Sequence, residues 1–286
     1  MQKPLTKKAG FGIVLTLNPA TYCPKNRIYK KMLAIISDLH GNIEALKNVM
    51  DDIRSKGIKD IVCLGDVIGY GPNPAECIDI AMGLKITLRG NHEEAAVNSG
   101  SYGFRSHAQK ALNWTKKELY PGIFCSAEKK ARWEFISNLP LSHKDGEMIF
   151  VHGSPRDPIW EYILRYDTEV LFDEIPAKLK DIFSMIPWLC FNGHTHDPGI
   201  ITEESDFLTP KEIGEAFEVK RNRKYIINVG SVGQPRDSDP RACYATFDGA
   251  SVRYYRIEYD IAKVQEKIFA IPEIDRRNGE RLGSGQ

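Results

Sequence analysis

From residue 32 onward the chain repeats one pattern: a short continuous apolar run, a polar turn, then apolar residues at helical spacing. The run MLAIIS (32–37) lacks polar alternation, which predicts a strand covered on both faces, and the turn Asp38 to Asn42 ends it. Asn42 fits as the N-cap of a helix in which Ile43, Leu46, Val49, Met50 and Ile53 share a face, and Gly57 supplies the stop. DIVCLG (60–65) is the second predicted strand, ending at Asp66, and Pro74 opens a helix through Ala81. KITLRG (85–90) ends at Asn91 and His92, EMIFV (147–151) at His152, and WLCFN (188–192) at Gly193 and His194.

The carboxyl-terminal third changes character. YIINVG, CYATFDG and VRYYRIEY are β-rich, with Asp248-Gly249 as a hairpin turn between the last two, and they predict a second sheet packed on the first. Asp260 caps a final helix to about Phe269, and residues 271–286 are expected to form a mobile tail. Two stretches without strand-end motifs, about 98–146 and 155–187, interrupt a single body spanning 31–270. The first has helical patterns over Ser106 to Lys117 and Ala127 to Asn138, and the second carries Trp160, Tyr162, Tyr166 and Phe172. Their aromatics either cover the apolar faces of those helices or form a lid over the strand ends.

Residues 1–30 read as an extension. Lys3, Lys7 and Lys8 precede FGIVLTL, but Asn18 and Pro19 break the run and no small-residue cleavage pattern follows, so Met32 is a candidate start. A net charge of +1 gives no reason to expect a polyanion or an anionic membrane as partner. No apolar run approaches the ~20 residues that cross a bilayer. The six cysteines are scattered without a C-x-x-C pair, and Cys63 and Cys190 fall inside predicted strands, which suits reduced thiols in a cytoplasmic protein.

Five runs thus deliver Asp38, His40, Asp66, Asn91, His92, His152, His194 and His196 at their carboxyl ends, which line up along one edge of a layered α/β sheet. His194 and His196 lie in FNGHTHDPG, and alternate residues of an extended chain point apart, so they share a target only if the chain turns between them. Carboxylates, an amide and imidazoles without thiolate suit Mn, Fe, Zn or Ni better than Ca or Mg. Seven such ligands are too many for one ion with an open position and suffice for two if a carboxylate bridges, with Asp66, alone at its strand end, as the natural bridge.

The series DLHGN, GDVIGYGP, GNHEE, VHGSP and GHTH resembles the calcineurin-like metallophosphoesterase superfamily, in its compact bacterial and archaeal phosphodiesterase-like branch. The resemblance runs in motif order over roughly residues 32 to 260. It implies the metallo-dependent phosphatase fold, a four-layer α/β/β/α sandwich of two mixed β-sheets flanked by helices. It further implies that Asp38, His40 and His196 bind one metal and Asn91, His152 and His194 another, with Asp66 between. Mn leads among the metals, ahead of Fe, Zn and Ni. His92 would stabilise the phosphoryl transition state or protonate the leaving oxygen, with Glu93 orienting it from behind. The expected reaction is hydrolysis of a small-molecule or nucleotide phosphodiester or phosphomonoester by in-line attack of metal-bound hydroxide.

The protein-phosphatase branch grips phosphate with an arginine in G-D-x-x-D-R-G, which GDVIGYGP lacks. A serine/threonine-type protein phosphatase is therefore the alternative, together with a non-catalytic adaptor on the same fold. Arg89, Arg156 and Arg236, in turns beside the motifs, are candidates to clamp phosphate in place of that arginine, or else tie loops together. Tyr70 and Tyr102 are candidates to stack on a substrate ring. NVGSVGQPRD (228–237), glycine-rich but without a helix start or lysine, is expected to back the metal site, and His107 and His143 to be structural or surface residues.

Overall fold

A computed structural model of the chain describes residues 32–98, 103–170 and 174–286. The expected extension at 1–30, Tyr102 and Phe172 lie outside the described residues. The first half runs β1 (Leu33–Ile36), α1 (Ile43–Ser55), β2 (Asp60–Cys63), α2 (Pro74–Ala81), β3 (Ile86–Thr87), α3 (Asn91–Asn98), α4 (Ser106–Leu119), α5 (Ala127–Ser137), β4 (Ser142–Asp145) and β5 (Met148–Val151). After a 3-10 turn at Arg165–Thr168 come α6 (Ala177–Met185), β6 (Leu189–Asn192), β7 (Gly199–Thr202), β8 (Phe207–Leu208), α7 (Pro210–Ile213), β9 (Phe217–Glu218) and β10 (Tyr225–Asn228). The chain ends with β11 (Ala242–Phe247), β12 (Ser251–Ile257), α8 (Ile261–Phe269) and α9 (Arg277–Glu280), the last followed by a 3-10 turn.

These strands form two mixed six-stranded sheets, β3-β2-β1-β11-β12-β9 and β4-β5-β6-β10-β7-β8. Side-chain alternation along the strands builds the layers. Leu33 and Ile35 of β1 point into the core between the sheets, with Phe150, Phe191, Ile227 and Phe247, while Ala34 and Ile36 meet the apolar stripes of α1 and α2. On the far side, Ile149, Cys190 and Ile226 pack against Leu179 and Ile182 of α6. Both faces of the central strands are covered, hence their continuous apolar sequences. Among the described residues, no helix is long and apolar enough to cross a membrane.

Three expectations are corrected. The β-rich carboxyl-terminal third does not make a second sheet of its own: β10 pairs parallel with β6, whereas β11 pairs antiparallel with β1, so this segment completes both sheets. Consequently β1, β2 and β3 belong to one sheet and β5 and β6 to the other, and their carboxyl ends meet across the sandwich rather than along a single sheet edge. The segment after Pro272 is not a free tail. It forms α9 and the 3-10 turn, with Ile274 and Leu282 buried against Val264 and Ile268 of α8 and Ala111 of α4.

Candidate metal centre

At that meeting point the turns are fastened to one another through the backbone. Asp38 N–H donates to the Gly65 carbonyl (3.0 Å), His40 N–H to Asp66 (2.9 Å), Gly193 N–H to His152 (3.0 Å) and Gly233 N–H to Asp38 (2.8 Å). Such cross-bonding holds an unusual backbone. Asp38, His40, Asp66, Tyr70, His194 and His196 all have φ between +46° and +68°, and they are six of the eight non-glycine residues with positive φ among the described residues. Left-handed conformation costs an ordinary residue about 1 kcal/mol or more and is tolerated where surrounding structure over-determines it, typically at functional sites. It also supplies the turn that brings His194 and His196 to one place.

The seven side chains expected to be ligands are all in this pocket, none more than 6% exposed. Asp38, His40 and His196 bring donor atoms within 4.8 Å of one another, as do Asp66, His152 and His194 and, as a third set, His40, Asp66 and His92. Asp66 is common to the last two sets, and its Oδ2 stands 3.4 Å from His152 Nε2 and 3.7 Å from His40 Nε2. Asn91 Oδ1 lies 3.1 Å from His152 Nε2. The other oxygen of each aspartate is held by the backbone: Asp66 Oδ1 accepts from His92 N–H (2.9 Å) and Asp38 Oδ2 from His194 N–H (3.1 Å).

Hydrogen-bond chemistry shows that this arrangement fits a cation. His40 Nδ1 lies 3.0 Å from the Ile68 carbonyl and His196 Nδ1 2.5 Å from the Gln234 carbonyl. Carbonyls only accept, so both Nδ1 atoms carry the proton and both Nε2 atoms present lone pairs. Those Nε2 atoms face each other at 3.1 Å, and His196 Nε2 is 3.2 Å from Asp38 Oδ1, a buried oxygen without a hydrogen-bond partner. Three lone pairs converge with no proton to share, an arrangement that a metal ion satisfies.

The electrostatics agree. Burial acts to raise both aspartates, but His196 and His152 hold the Asp38 carboxyl below the usual carboxylate range, and His152, His92 and His40 hold Asp66 well below it. Burial keeps His40 and His196 below their ordinary value and takes His92 down to about 4 and His194 to about 3. Burial also opposes charge on His152, yet Asp66 and Asp38 lift it to about 9. The two carboxylates thus stay ionised beside imidazoles that burial holds mostly neutral, which leaves the pocket suited to positive charge.

His92 sits against this cluster with Nε2 4.0 Å from Asp66 Oδ2. A Cβ at Gly69, where φ is +92°, would overlap its ring, so the GDVIGYGP turn approaches as only glycine allows. Glu93, expected to orient His92 from behind, is engaged with the backbone of the neighbouring loop. Glu93 Oε2 accepts from the backbone N–H of Asp66 and Gly90 (both 2.9 Å) and Oε1 from Ile68 (3.0 Å), so this buried carboxylate clamps the loop that carries Asp66. Burial and the Asp66 charge push its carboxyl up to about 7 against the pull of those donors.

The candidate phosphate clamps divide. Arg89 is tied to Glu94 (2.9 Å) and to the Ser137 carbonyl, and Arg156 to Glu161 and Asp181, so both fasten loops instead of facing the cluster. Arg236 reaches the site. Its guanidinium meets Tyr70 Oη at 3.4 Å and Gln234 Oε1 at 2.9 Å, its Nε is buried without a partner, and Asp237 beside it pairs with Arg256 instead. Tyr70 packs 4.7 Å from both the His40 and His92 rings. The 228–237 segment backs the site: Gln234 receives His196, and Ser231 Oγ donates to the Asp38 carbonyl (2.8 Å).

Sequence reasoning missed Phe104, which stands edge-on to His92 at 4.8 Å, and gave Tyr162 no definite place, although its ring stacks on His194 at 3.7 Å. Neither lies in a motif; the one available signal was that both follow strand-end turns within the interrupting stretches.

Comparison with known proteins points the same way. An uncharacterised protein of Methanocaldococcus jannaschii is 37% identical over 268 residues, covering 90% of this chain and 99% of that protein. The crystal structure of a metallophosphoesterase from Sphaerobacter thermophilus is 36% identical with a TM-score of 0.73, over 90% of this chain and 99% of that one. A hypothetical protein from Pyrococcus horikoshii, 18% identical with a TM-score of 0.65, shares the fold over 89% of this chain and 98% of its own. The calcineurin-like phosphoesterase model matches residues 32–228, from the first strand of one sheet to the strand that completes the other, and the chain belongs to that family.

Proposed function

We propose that the protein hydrolyses a phosphomonoester or phosphodiester of a small molecule or nucleotide with two divalent transition ions, Mn foremost. Asp38, His40 and His196 would hold one ion and Asn91, His152 and His194 the other, with Asp66 shared. The observation that carries this reading is the pair of Nε2 lone pairs facing each other at 3.1 Å, with both Nδ1 protons committed to carbonyls. Divalent ions bound there would neutralise phosphoryl oxygens and activate water for in-line attack. His92 would donate from its ring to a phosphoryl or leaving oxygen, a role supported by its position against Asp66 and under Gly69. Arg236, with Tyr70 beside it, grips the remaining phosphate oxygens in place of the absent motif arginine. The buried thiols of Cys63, Cys77, Cys190 and Cys243 suit a reducing compartment such as the cytoplasm.

The test is parallel assay of metal-stripped and Mn-loaded protein on an aryl phosphomonoester, an aryl phosphodiester and a phosphopeptide. Turnover of an aryl ester that needs metal, and that falls about 10²-fold or more in His92→Ala with metal content unchanged, is the expected result. Fully loaded protein inert on every substrate would overturn the reading in favour of an adaptor.

A further inference from the structure

Beside the metal centre lies a second opening of about 720 Å³, a size typical of ligand sites. It begins at Asp197 and Pro198, directly after His196, and is bounded by the loop from Arg236 to Asp239, by the start of α7 and by β12. Five cations line it: Arg165, Lys211, Arg236, Arg241 and Arg256. Three carboxylates oppose them, Asp197, Asp237 and Asp239, and two of these are committed. Asp239 holds Arg241 (2.6 Å) and Asp237 holds Arg256. Arg165 and Lys211, both exposed at the mouth, form no ion pair among the described residues, and Arg165 rests over the Phe207 ring at 5.2 Å.

Arg236 belongs to both places. Its backbone N–H donates to the His196 carbonyl (3.2 Å), its guanidinium meets Tyr70 at the metal centre, and it also lines the cavity. A ligand in the cavity therefore lies against the loop that carries Arg236, next to the residues that face the metal centre. The cavity offers charge rather than a stacking surface, because Tyr254, its one aromatic residue, is anchored through its hydroxyl to the Gly199 (2.9 Å) and Asn228 (2.8 Å) carbonyls.

We propose that this cavity is a subsite for a second phosphate of the substrate, beyond the ester that is cut, received by Arg165 and Lys211 at the mouth and Arg236 at the inner end. The substrate class is then a nucleoside polyphosphate or another compound with two phosphate groups, a refinement that rests on the phosphoesterase reading. A planar guanidinium and a mobile ammonium together suit the several oxygens of a polyphosphate.

Inorganic tripolyphosphate is the probe, titrated calorimetrically into metal-stripped protein so that chelation plays no part. Wild-type protein should bind it markedly more tightly than orthophosphate. Lys211→Glu and Arg165→Glu should each weaken it by about tenfold, the effect of losing one charge-assisted contact. Lys117→Glu, which changes net charge equally on α4, outside the cavity lining, should leave it unaltered. Equal affinity for the two anions, or equal loss in all three variants, overturns the subsite. Wild-type turnover of p-nitrophenyl phosphate is measured alongside. Inertness of the Mn-loaded protein on this monoester, on an aryl phosphodiester and on a phosphopeptide, with the affinity pattern intact, overturns the hydrolase reading and leaves the anion site supported.

Discussion

Glu93→Gln separates two roles that one motif residue could have. The carboxylate accepts three backbone N–H groups, from Asp66, Gly90 and Ile68, and is fully buried, so solvent does not replace them. Glutamine has nearly the same shape but one acceptor oxygen. That oxygen can serve the Asp66 and Gly90 N–H groups, leaving the amide NH2 against the Ile68 N–H, donor against donor. One hydrogen bond to a charged group contributes about 1.5–3 kcal/mol, and burial together with Asp66 already works against the charge, so the lower end applies. We expect a loss of about 2 kcal/mol for Glu93→Gln, and about 5 kcal/mol for Glu93→Ala, which strands all three donors. The assay is denaturant unfolding of metal-stripped protein at about pH 8, where the wild-type carboxylate is ionised, with metal content and aryl phosphate turnover measured on the same preparations. Unchanged stability with normal metal content and a collapse of turnover would refute the clamp and restore Glu93 as the residue that orients His92.

Gly69→Ala should displace the His92 ring, since the added Cβ overlaps it and the residue's φ is +92°. Turnover should fall about 10²-fold, the scale of a 1 Å misplacement, with metal content by plasma mass spectrometry unchanged. Removing metal should lower the thermal midpoint by roughly 5–10 °C, because a ligand at about 100 times its Kd contributes about 2.7 kcal/mol. A midpoint indifferent to chelator would deny that the buried donors hold ions. Arg236→Lys keeps the charge but loses the fork, so KM for an aryl phosphate should rise about tenfold while metal content holds; unaltered kcat/KM would remove Arg236 from the phosphate site.

The parts legible in the sequence are those whose physics is local. Continuous apolar runs announce β1, β2, β5 and β6 because both faces of those strands are covered, and Asn42 announces α1 because its side chain caps Ala45 N–H at 3.1 Å. Other strands leave no such trace. β4 is the polar segment SHKD, while β8 and β9 have two residues each, too few to display a period. The sheet that β10 or β11 would join depends on pairing with strands far back along the chain, which composition does not encode. The segment after Pro272 reads as polar, yet Ile274 and Leu282 at wide spacing are enough to seat it on α8. The loop contacts of Glu93 were not legible because its partners are backbone N–H groups, identical at every residue and so invisible in sequence.

The six left-handed residues connect fold to chemistry. His40, Tyr70, His194 and His196 together store on the order of 4 kcal/mol or more of backbone strain, and Asp38 and Asp66 add less, since a short carboxylate side chain tolerates the left-handed region. Asparagine or glycine would relieve that strain, but glycine brings no donor atom, and asparagine no negative charge and no imidazole. The strain is offset by the hydrogen bonds that cross between turns and by the two apolar cores flanking them. Because those bonds join turns from both sheets, the spacing of the donor atoms is set by the packing of the sandwich as a whole. The cluster is therefore preorganised: its buried donors and their carboxylate charge are built into the folded chain, and any metal affinity should depend on the inter-sheet core as well as on those donors.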